Sequence, residues 1–247
     1  MKKIKNLARP HYTGGTKSAT RIENWLCQHI LYRECYFLHS VSLGLATRGG
    51  YVAKIKIHTI NNRDIDFLNS LRCSGICLKS QAQNFITANR LKSFVLQKII
   101  EKCTYTRNDG TRQEVYRISD KGKSWIRENI DCLSERKFYS STGVEHDIKI
   151  MDKLISLSRE ERMTARCESE IRDEFKELLN KMLLYREYER YETLYNSLQN
   201  HTVSMPDLAY GIDNYYEVIT SSYTEVQINA KYEAVNTIGG HLEMERI

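Results

Sequence analysis

Residues 205 to 222, MPDLAYGIDNYYEVITSS, contain two apolar runs separated by a polar turn at Asp213-Asn214. The first run predicts a buried strand, and the second, rich in β-branched and aromatic residues, predicts its partner. Asp207 stands at the start of the first strand, and Glu217 lies within the second. Carboxylates at the ends of adjacent strands can share a divalent ion, and hard oxygen ligands suit Mg²⁺. The alternative is a hairpin whose two acids have ordinary surface roles.

The segments on either side extend this hairpin into a larger α/β pattern. We expect a helix from about His146, a strand over RMTARCESEI, and a polar helical region up to the hairpin. After the hairpin, YTEVQINAKYEAVNTIGG predicts a helix stopped by two glycines, and HLEMERI predicts a final strand. A third acid on a preceding element would complete the metal site, and we assign this role to Glu170, with Glu168 as second choice. His146, beside Asp147, is interpreted as a surface helix residue, with orientation of a phosphate as the alternative.

Residues 62–131 carry a different pattern, in which helices lead into a charged hairpin. NRDIDFLNSLRCSG predicts a helix that stops at Gly75, LKSQAQNFI a short helix, and RLKSFVLQKIIEKC a longer amphipathic helix with Asn89 as N-cap. Asn108-Asp109-Gly110 predicts a hairpin turn, and SDKGKSWIREN a closing helix. The segment holds 13 Lys/Arg and 8 Asp/Glu, a net charge of +5. This surplus favours contact with a polyanion.

The polar side of the longer helix and the tip of the hairpin carry the side chains expected to touch DNA. Arg, Asn and Gln make bidentate contacts with base edges in the major groove, and cations at a hairpin tip reach phosphates or a minor groove. The predicted DNA-binding residues are Lys79, Asn89, Arg90, Lys92, Ser93, Gln97, Arg107 and Arg112. The alternative is a module that binds other proteins, because a fold does not fix a function.

Two family resemblances rest on these residues. The order of helices and hairpin over 62–131, with the pattern L-x-x-x-V-L-x-x-I-I followed by YRISDKG, resembles the winged helix-turn-helix of bacterial DNA binders. Pro206-Asp207 followed by Glu217-Val218-Ile219 resembles the PD-(D/E)xK nuclease superfamily. The combination is similar to replication-relaxation-type proteins of bacterial mobile elements. It implies an α+β or α/β fold: a winged helix-turn-helix followed by a restriction-endonuclease-like mixed sheet flanked by helices.

The nuclease resemblance implies a Mg²⁺ cofactor, double-stranded DNA as partner, and a set of metal-binding and catalytic acids. These acids are Glu170, Asp207 and Glu217. The family motif has a lysine where this chain has Ile219, and an isoleucine can neither position water nor offset charge. Lys231, on the following helix, is one replacement, and Gln227, which can orient water without charge, is another. If neither reaches the site, the domain has lost catalysis.

We therefore expect a DNA-binding protein that is either a metal-dependent DNA endonuclease or an inactive nuclease-fold regulator of replication or transcription. The alternative is a protein-interaction adaptor without DNA binding. Residues 201–247 carry a net charge of −5 within a chain whose net charge is +6. The remainder is therefore strongly basic, which suits a grip on a polyanion next to a cation site.

The expected organisation is a basic flexible arm at 1–20, an N-terminal extension of unassigned role at 21–61, and domains at 62–131 and 137–247. The seven cysteines show no paired zinc pattern and are interpreted as free thiols of a reducing compartment. No apolar run of membrane-spanning length and no secretory signal are found, so we expect a cytoplasmic, nucleoid-associated protein without membrane contact. A homodimer is a further expectation, because paired DNA half-sites favour two-fold symmetry.

Overall fold

The structure is a computed structural model that describes residues 59–106, 110–140, 143–184, 188–200 and 202–247, apart from the side chains of residues 182–190. Within these residues the chain is a mixed α+β protein with two small sheets, which confirms the expected class. The predicted basic arm, nearly all of the predicted extension and Arg107 lie outside the described residues. No helix in the described part is long and apolar enough to cross a lipid bilayer.

The first part of the described chain consists of helices around a three-stranded antiparallel sheet. Its elements are α1 (Asn62–Ser74), β1 (Ile76–Leu78), α2 (Lys79–Ala82), α3 (Ala88–Leu96), β2 (Ile100–Thr106), β3 (Arg112–Ile118) and α4 (Asp120–Asn129). The strand order is β1-β3-β2. A capping box at Asn61 begins α1, and Gly75 ends it with a φ of 81°, a conformation that glycine adopts without strain.

The helix predicted over RLKSFVLQKIIEKC is shorter than expected and has a different N-cap. Thr87, and not Asn89, caps α3, because the Thr87 hydroxyl accepts a backbone hydrogen bond of 3.2 Å. The helix ends at Leu96, and Lys98, with a φ of 61°, turns the chain into β2. The residues that follow are extended because β2 pairs with β3 along its whole length, which satisfies their backbone groups. The preceding helix is likewise reduced to the single turn of α2.

The second part of the described chain surrounds a four-stranded mixed sheet with helices. Its elements are α5 (Val144–Ser156), α6 (Arg159–Met163), β4 (Arg166–Cys167), α7 (Glu168–Leu184), α8 (Tyr188–Gln199), β5 (Leu208–Tyr210), β6 (Asn214–Ile219), α9 (Glu225–Thr237) and β7 (His241–Arg246). The strand order is β4-β5-β6-β7. The first two pairings are antiparallel, whereas β6 and β7 are parallel and joined by the α9 crossover.

The hairpin, the helix after it and the final strand are confirmed, but two predicted boundaries are wrong. The strand predicted over RMTARCESEI contains two residues, and Glu168 and Glu170 lie in the first turn of α7. Acidic side chains there are favoured by the positive end of the helix dipole. The turn between β5 and β6 precedes Asn214 and uses Gly211, whose φ is 59°.

One hydrophobic cluster joins the two domains expected from the sequence. It includes Phe67 of α1, Leu154 of α5 and Tyr216 and Val218 of β6. Tyr215, which points to the opposite face of β6, belongs to a second cluster formed with α7, α8 and α9. The mixed sheet is therefore covered on both faces, and the boundary expected near residue 131 does not divide the core.

Candidate functional site

The two acids of the hairpin lie side by side. Asp207 immediately precedes β5 and is 5% exposed, and Glu217 lies within β6 and is fully buried. The Asp207 backbone N–H donates to Glu217 Oε2 at 3.1 Å, and the Val218 N–H donates to Asp207 Oδ2 at 2.8 Å. The register of the two strands therefore fixes both carboxylates at one end of the β5–β6 pair.

Lys231 contacts the acid pair through Glu217. It projects from α9, is 2% exposed, and donates from Nζ to Glu217 Oε1 and to the Met205 carbonyl at 3.1 Å. The Tyr223 hydroxyl donates to the same glutamate oxygen at 2.7 Å. The first of the two replacements expected from the sequence thus contacts the acid pair.

Gln227, the second expected replacement, has another role. Its side-chain Oε1 accepts from the Thr224 backbone N–H at 2.9 Å, and the two residues form the capping box of α9. The side chain is exposed. The structure therefore assigns Gln227 to the start of the helix that carries Lys231, and not to the acid pair.

The sequence interpretation did not assign His146 to this cluster, nor Tyr223. His146 Nε2 lies 3.0 Å from Asp207 Oδ2, and its Nδ1 lies 3.1 Å from Asp147 Oδ1. His146 is 9% exposed and Asp147 is fully buried, so the surface interpretation was wrong. A signal was present: His146 and Asp147 precede the buried Ile150 and Met151 by four residues each. Residues at this spacing share a helix face.

A cavity of about 320 Å³ opens onto the cluster. The lining side chains that matter for chemistry are those of Tyr139, His146, Glu168, Asp207, Tyr223 and Lys231. A larger cavity, of about 480 Å³, lies between α8 and α9, and Glu233 is the ionisable residue among those described in its lining. The smaller cavity is the candidate site, because it is where opposite charges and hydrogen-bonding groups converge.

The electrostatics of the cluster follow from burial and from the closeness of two acids. Burial and the neighbouring Asp207 carboxylate raise the pKa of Glu217 to about 7, against the opposing effect of Lys231 and Tyr223. Burial lowers the pKa of His146, but its hydrogen bonds to Asp147 and Asp207 outweigh that effect and bring the pKa to about 10. The site is thus a compact set of alternating negative and positive groups.

Glu170, the predicted third acid, lies in a different cluster. Its Oε2 accepts from Arg72 at 2.7 Å, and its Oε1 lies 3.5 Å from Arg136. Burial raises the pKa of Glu170, but the two guanidinium groups outweigh it and hold the pKa below its usual range. Glu168, the second choice, lines the cavity and pairs with Arg172 at 3.0 Å.

The donor set of the cavity suits a hard cation. Mg²⁺ is usually held by one or two carboxylates while it keeps several waters, and the carboxylates that line the cavity are those of Asp207 and Glu168, with the fully buried Glu217 beside Asp207. Within the described ranges, no three His, Cys, Asp or Glu side chains form a ready-made metal-binding group. The residues therefore fit an ion held by one or two carboxylates at the cavity wall, next to the buried Glu217.

The predicted DNA-binding residues divide into exposed and engaged groups. The exposed ones are Lys79, Asn89, Lys92 and Arg112. Ser93 and Gln97 are half-buried, and the Ser93 hydroxyl donates to the Asn89 carbonyl at 2.9 Å. Arg90 donates to both carboxylate oxygens of Asp64, at 2.9 and 2.6 Å, and to the Thr59 carbonyl at 2.6 Å. The Arg90 guanidinium therefore links α3 to α1. Because these contacts occupy it, Arg90 is not counted further among the residues expected to contact DNA.

Comparisons of the chain with protein-family models, with curated proteins and with solved structures give no match.

Proposed function

We propose that this protein is a metal-dependent DNA endonuclease, with a winged-helix half that holds duplex DNA and a PD-(D/E)xK-type half that hydrolyses a phosphodiester. The observation that carries the proposal is the contact of Lys231 with Glu217 beside Asp207. The PD-(D/E)xK motif has its lysine at the position of Ile219. In this chain Lys231, on the helix that follows the Glu217 strand, would provide that positive charge instead. The mixed sheet, with three antiparallel strands and a parallel fourth strand, supports the same assignment.

Asp207 and Glu217 would hold the divalent ion. When bound, Mg²⁺ supplies activation of a water molecule and charge stabilisation for the phosphodiester. The two carboxylates lie on adjacent strands and are buried, so their positions are set by the sheet rather than by a loop. Glu168 adds negative charge at the wall of the same cavity.

Lys231 and Tyr223 provide hydrogen-bond donors next to the acids. The Lys231 ammonium is fixed by the Met205 carbonyl as well as by Glu217. A buried positive charge in a fixed position stabilises negative charge that develops during reaction, because the group does not need to reorganise. The Tyr223 hydroxyl offers a second donor from the same side of Glu217.

The first part of the chain provides a surface for DNA. The order of its elements and its β1-β3-β2 sheet support the winged-helix assignment, in which α3 would be the helix for the major groove. Asn89 and Lys92 on α3 are exposed, and Arg112 lies on the hairpin strand that leads from the tip. Lys92 and Arg112 are suited to phosphate, and Asn89 to a base edge.

A second candidate is a DNA-binding regulator without cleavage, and one observation favours it. Both hairpin acids already have cationic partners within the chain, Lys231 for Glu217 and His146 for Asp207. A cluster that is neutralised internally can be retained for stability alone. The two candidates share DNA binding and differ in whether a cation enters the cavity.

The test is incubation of the purified protein with supercoiled plasmid in Mg²⁺, Mn²⁺ or EDTA, at low and moderate salt. Wild type, Glu217→Gln and the control Glu233→Gln, an exposed acid on α9, are compared, with a mobility-shift assay in parallel. Metal-dependent nicking by wild type and the control, but not by Glu217→Gln, would support the endonuclease. A salt-sensitive shift without nicking would support the regulator. Absence of both nicking and a salt-sensitive shift would contradict both candidates and leave the protein-interaction adaptor.

A further inference from the structure

The imidazole of His146 is bound at both ends by acids. Nδ1 lies 3.1 Å from Asp147 Oδ1 and Nε2 lies 3.0 Å from Asp207 Oδ2. The ring therefore bridges the two acids, with one nitrogen facing each carboxylate. The orientation of the ring is therefore fixed along the line from Asp147 to Asp207.

Asp147 lies close to Gly75 at the end of α1. A Cβ added at Gly75 would lie 3.4 Å from Asp147 Oδ2 and 2.9 Å from Tyr139 Cδ1, so a glycine is needed for this close packing. The Tyr139 ring stacks near the His146 ring, with centroids 6.5 Å apart and an angle of 22° between the planes. The Tyr139 ring thus lies over one face of the imidazole, and the two acids contact its two nitrogens.

The contacts that His146 and Val218 make with Asp207 fall on one of its two carboxylate oxygens. His146 Nε2 and the Val218 backbone N–H both reach Oδ2, at 3.0 and 2.8 Å. Two donors on one oxygen set the plane of the carboxylate without using Oδ1. An outer group that orients a metal-binding carboxylate in this way tunes affinity for the ion, and its loss typically costs about 10- to 100-fold.

We propose that His146 is a positioning residue which, held by Asp147, fixes the Asp207 carboxylate so that Oδ1 is presented to a divalent cation. This inference rests on the proposed function, because it assigns a role to His146 at the same site. His146 acts through Asp207 and does not itself hold the ion.

The experiment measures Mn²⁺ binding to the full chain by titration calorimetry without DNA, and kcat and KM for cleavage of a DNA substrate. The variants are His146→Leu, which removes both donors, and His146→Gln, whose side-chain amide can still donate to Asp207. His241→Ala, at an exposed histidine on β7, is the control. We expect His146→Leu to weaken Mn²⁺ affinity by about 10- to 100-fold and to lower kcat with little change in the KM for DNA.

Comparison of His146→Gln with His146→Leu shows whether His146 acts by orienting the Asp207 carboxylate or only by filling space. His146→Gln should recover most of the lost affinity, although leucine fills the same apolar space equally well. Wild-type Mn²⁺ affinity and kcat in His146→Leu would overturn the inference while leaving the endonuclease intact. Equal losses in the Leu and Gln variants would also overturn it. If wild type itself neither binds Mn²⁺ nor cleaves DNA, the proposed function fails, and the inference fails with it.

Discussion

Glu217 and Glu170 are both buried, and each is paired with a buried cation, Lys231 and Arg72 respectively. Their surroundings differ. Glu217 has a second acid, Asp207, as its neighbour, and the Lys231 beside it lines a cavity. Glu170 has a second cation, Arg136, at 3.5 Å.

This difference changes the sign of the pKa shift. Burial and Asp207 raise the pKa of Glu217 to about 7, whereas Arg72 and Arg136 overcome burial and lower the pKa of Glu170. A second acid beside a buried acid makes ionisation of both unfavourable, and a bound cation would offset this cost, whereas two cations around one acid stabilise its ionised form. The first arrangement suits binding and the second suits structure.

Arg72 shows how completely the structural cluster is satisfied. Its guanidinium donates to Glu170 at 2.7 Å, to Asn69 Oδ1 at 2.8 Å, and to the carbonyls of Lys137 and Ala165 at 2.8 and 2.7 Å. These bonds tie α1 to the segment before α5 and to the start of α7. The cluster therefore joins the two parts of the chain in one packed unit.

The largest effect is expected from a substitution in the Asp207–Glu217 cluster, which should affect DNA cleavage and not stability. Asp207→Asn should reduce metal-dependent DNA cleavage by about 1,000-fold or more, because one of two anionic ligands is lost. Its thermal stability should remain near that of wild type, since the change also removes a negative charge beside Glu217. Cleavage rates and melting curves of the same preparation check both statements. Cleavage at the wild-type rate would remove Asp207 from the site.

The matching change in the structural cluster should affect stability instead. Glu170→Gln should lower the free energy of unfolding at neutral pH by about 2–3 kcal/mol, because a charge-assisted hydrogen bond between buried groups is weakened. Denaturant titration measures this value. The kcat of the folded variant should change little, and a loss of cleavage with unchanged stability would instead place Glu170 in the catalytic site.

The pH dependence of that stability difference provides a further check. Since the pKa of Glu170 is lower in the folded chain than its usual 4.5, the ionised form stabilises the fold above that pH. This contribution is lost as the pH falls through the folded-state pKa. The difference between wild type and Glu170→Gln should therefore shrink as the pH falls below about 4. A constant difference across that range would contradict the proposed role of the charge.

Helix α3 likewise carries one cation that is paired within the chain, Arg90, and one that is exposed, Lys92. The expected effect of a substitution on DNA binding is smaller here. Lys92→Ala should weaken DNA binding by a few-fold, about equally for all sequences, and reduce the salt slope by about 1. Arg246→Ala, at an exposed cation on β7, is the control. Mobility shifts at several salt concentrations give both quantities. A sequence-dependent loss would instead indicate that Lys92 reads a base.

The smallest effect is expected at Gln227. Gln227→Ala should cost about 0.5–1 kcal/mol of stability, because half of the α9 capping box is lost. Cleavage by the folded protein should stay within about twofold of wild type. A large loss of kcat would mean that Gln227 orients water, which was the second role expected from the sequence.

The sequence predicts what local pattern determines. The hairpin around Asp207 and Glu217, the helix that carries Lys231 and the final strand all follow from periodicity and from turn residues. Lys231 lies at the right distance along the chain to reach back to Glu217. The sequence left open whether Lys231 or Gln227 contacts the acids, and the structure shows the contact between Lys231 and Glu217.

The errors arise where residues far apart in the chain meet. Arg72 engages Glu170 across 98 positions, and Asp64 engages Arg90 across 26. No local pattern reveals such a partner, so an acid near a predicted strand was assigned to the wrong cluster. His146 differs from these residues, because its four-residue spacing from Ile150 is a local pattern that predicts a shared helix face.

The most direct test of the account is a crystal of the full chain soaked in millimolar Mn²⁺ and measured at the manganese absorption edge. We predict an anomalous peak in the cavity, within bonding distance of Asp207 and Glu217 oxygens, which is about 2.0–2.3 Å for a hard divalent ion. We also predict that the peak disappears in Asp207→Asn. A peak beside Glu170, or no peak in the cavity of the wild-type crystal, would contradict the account.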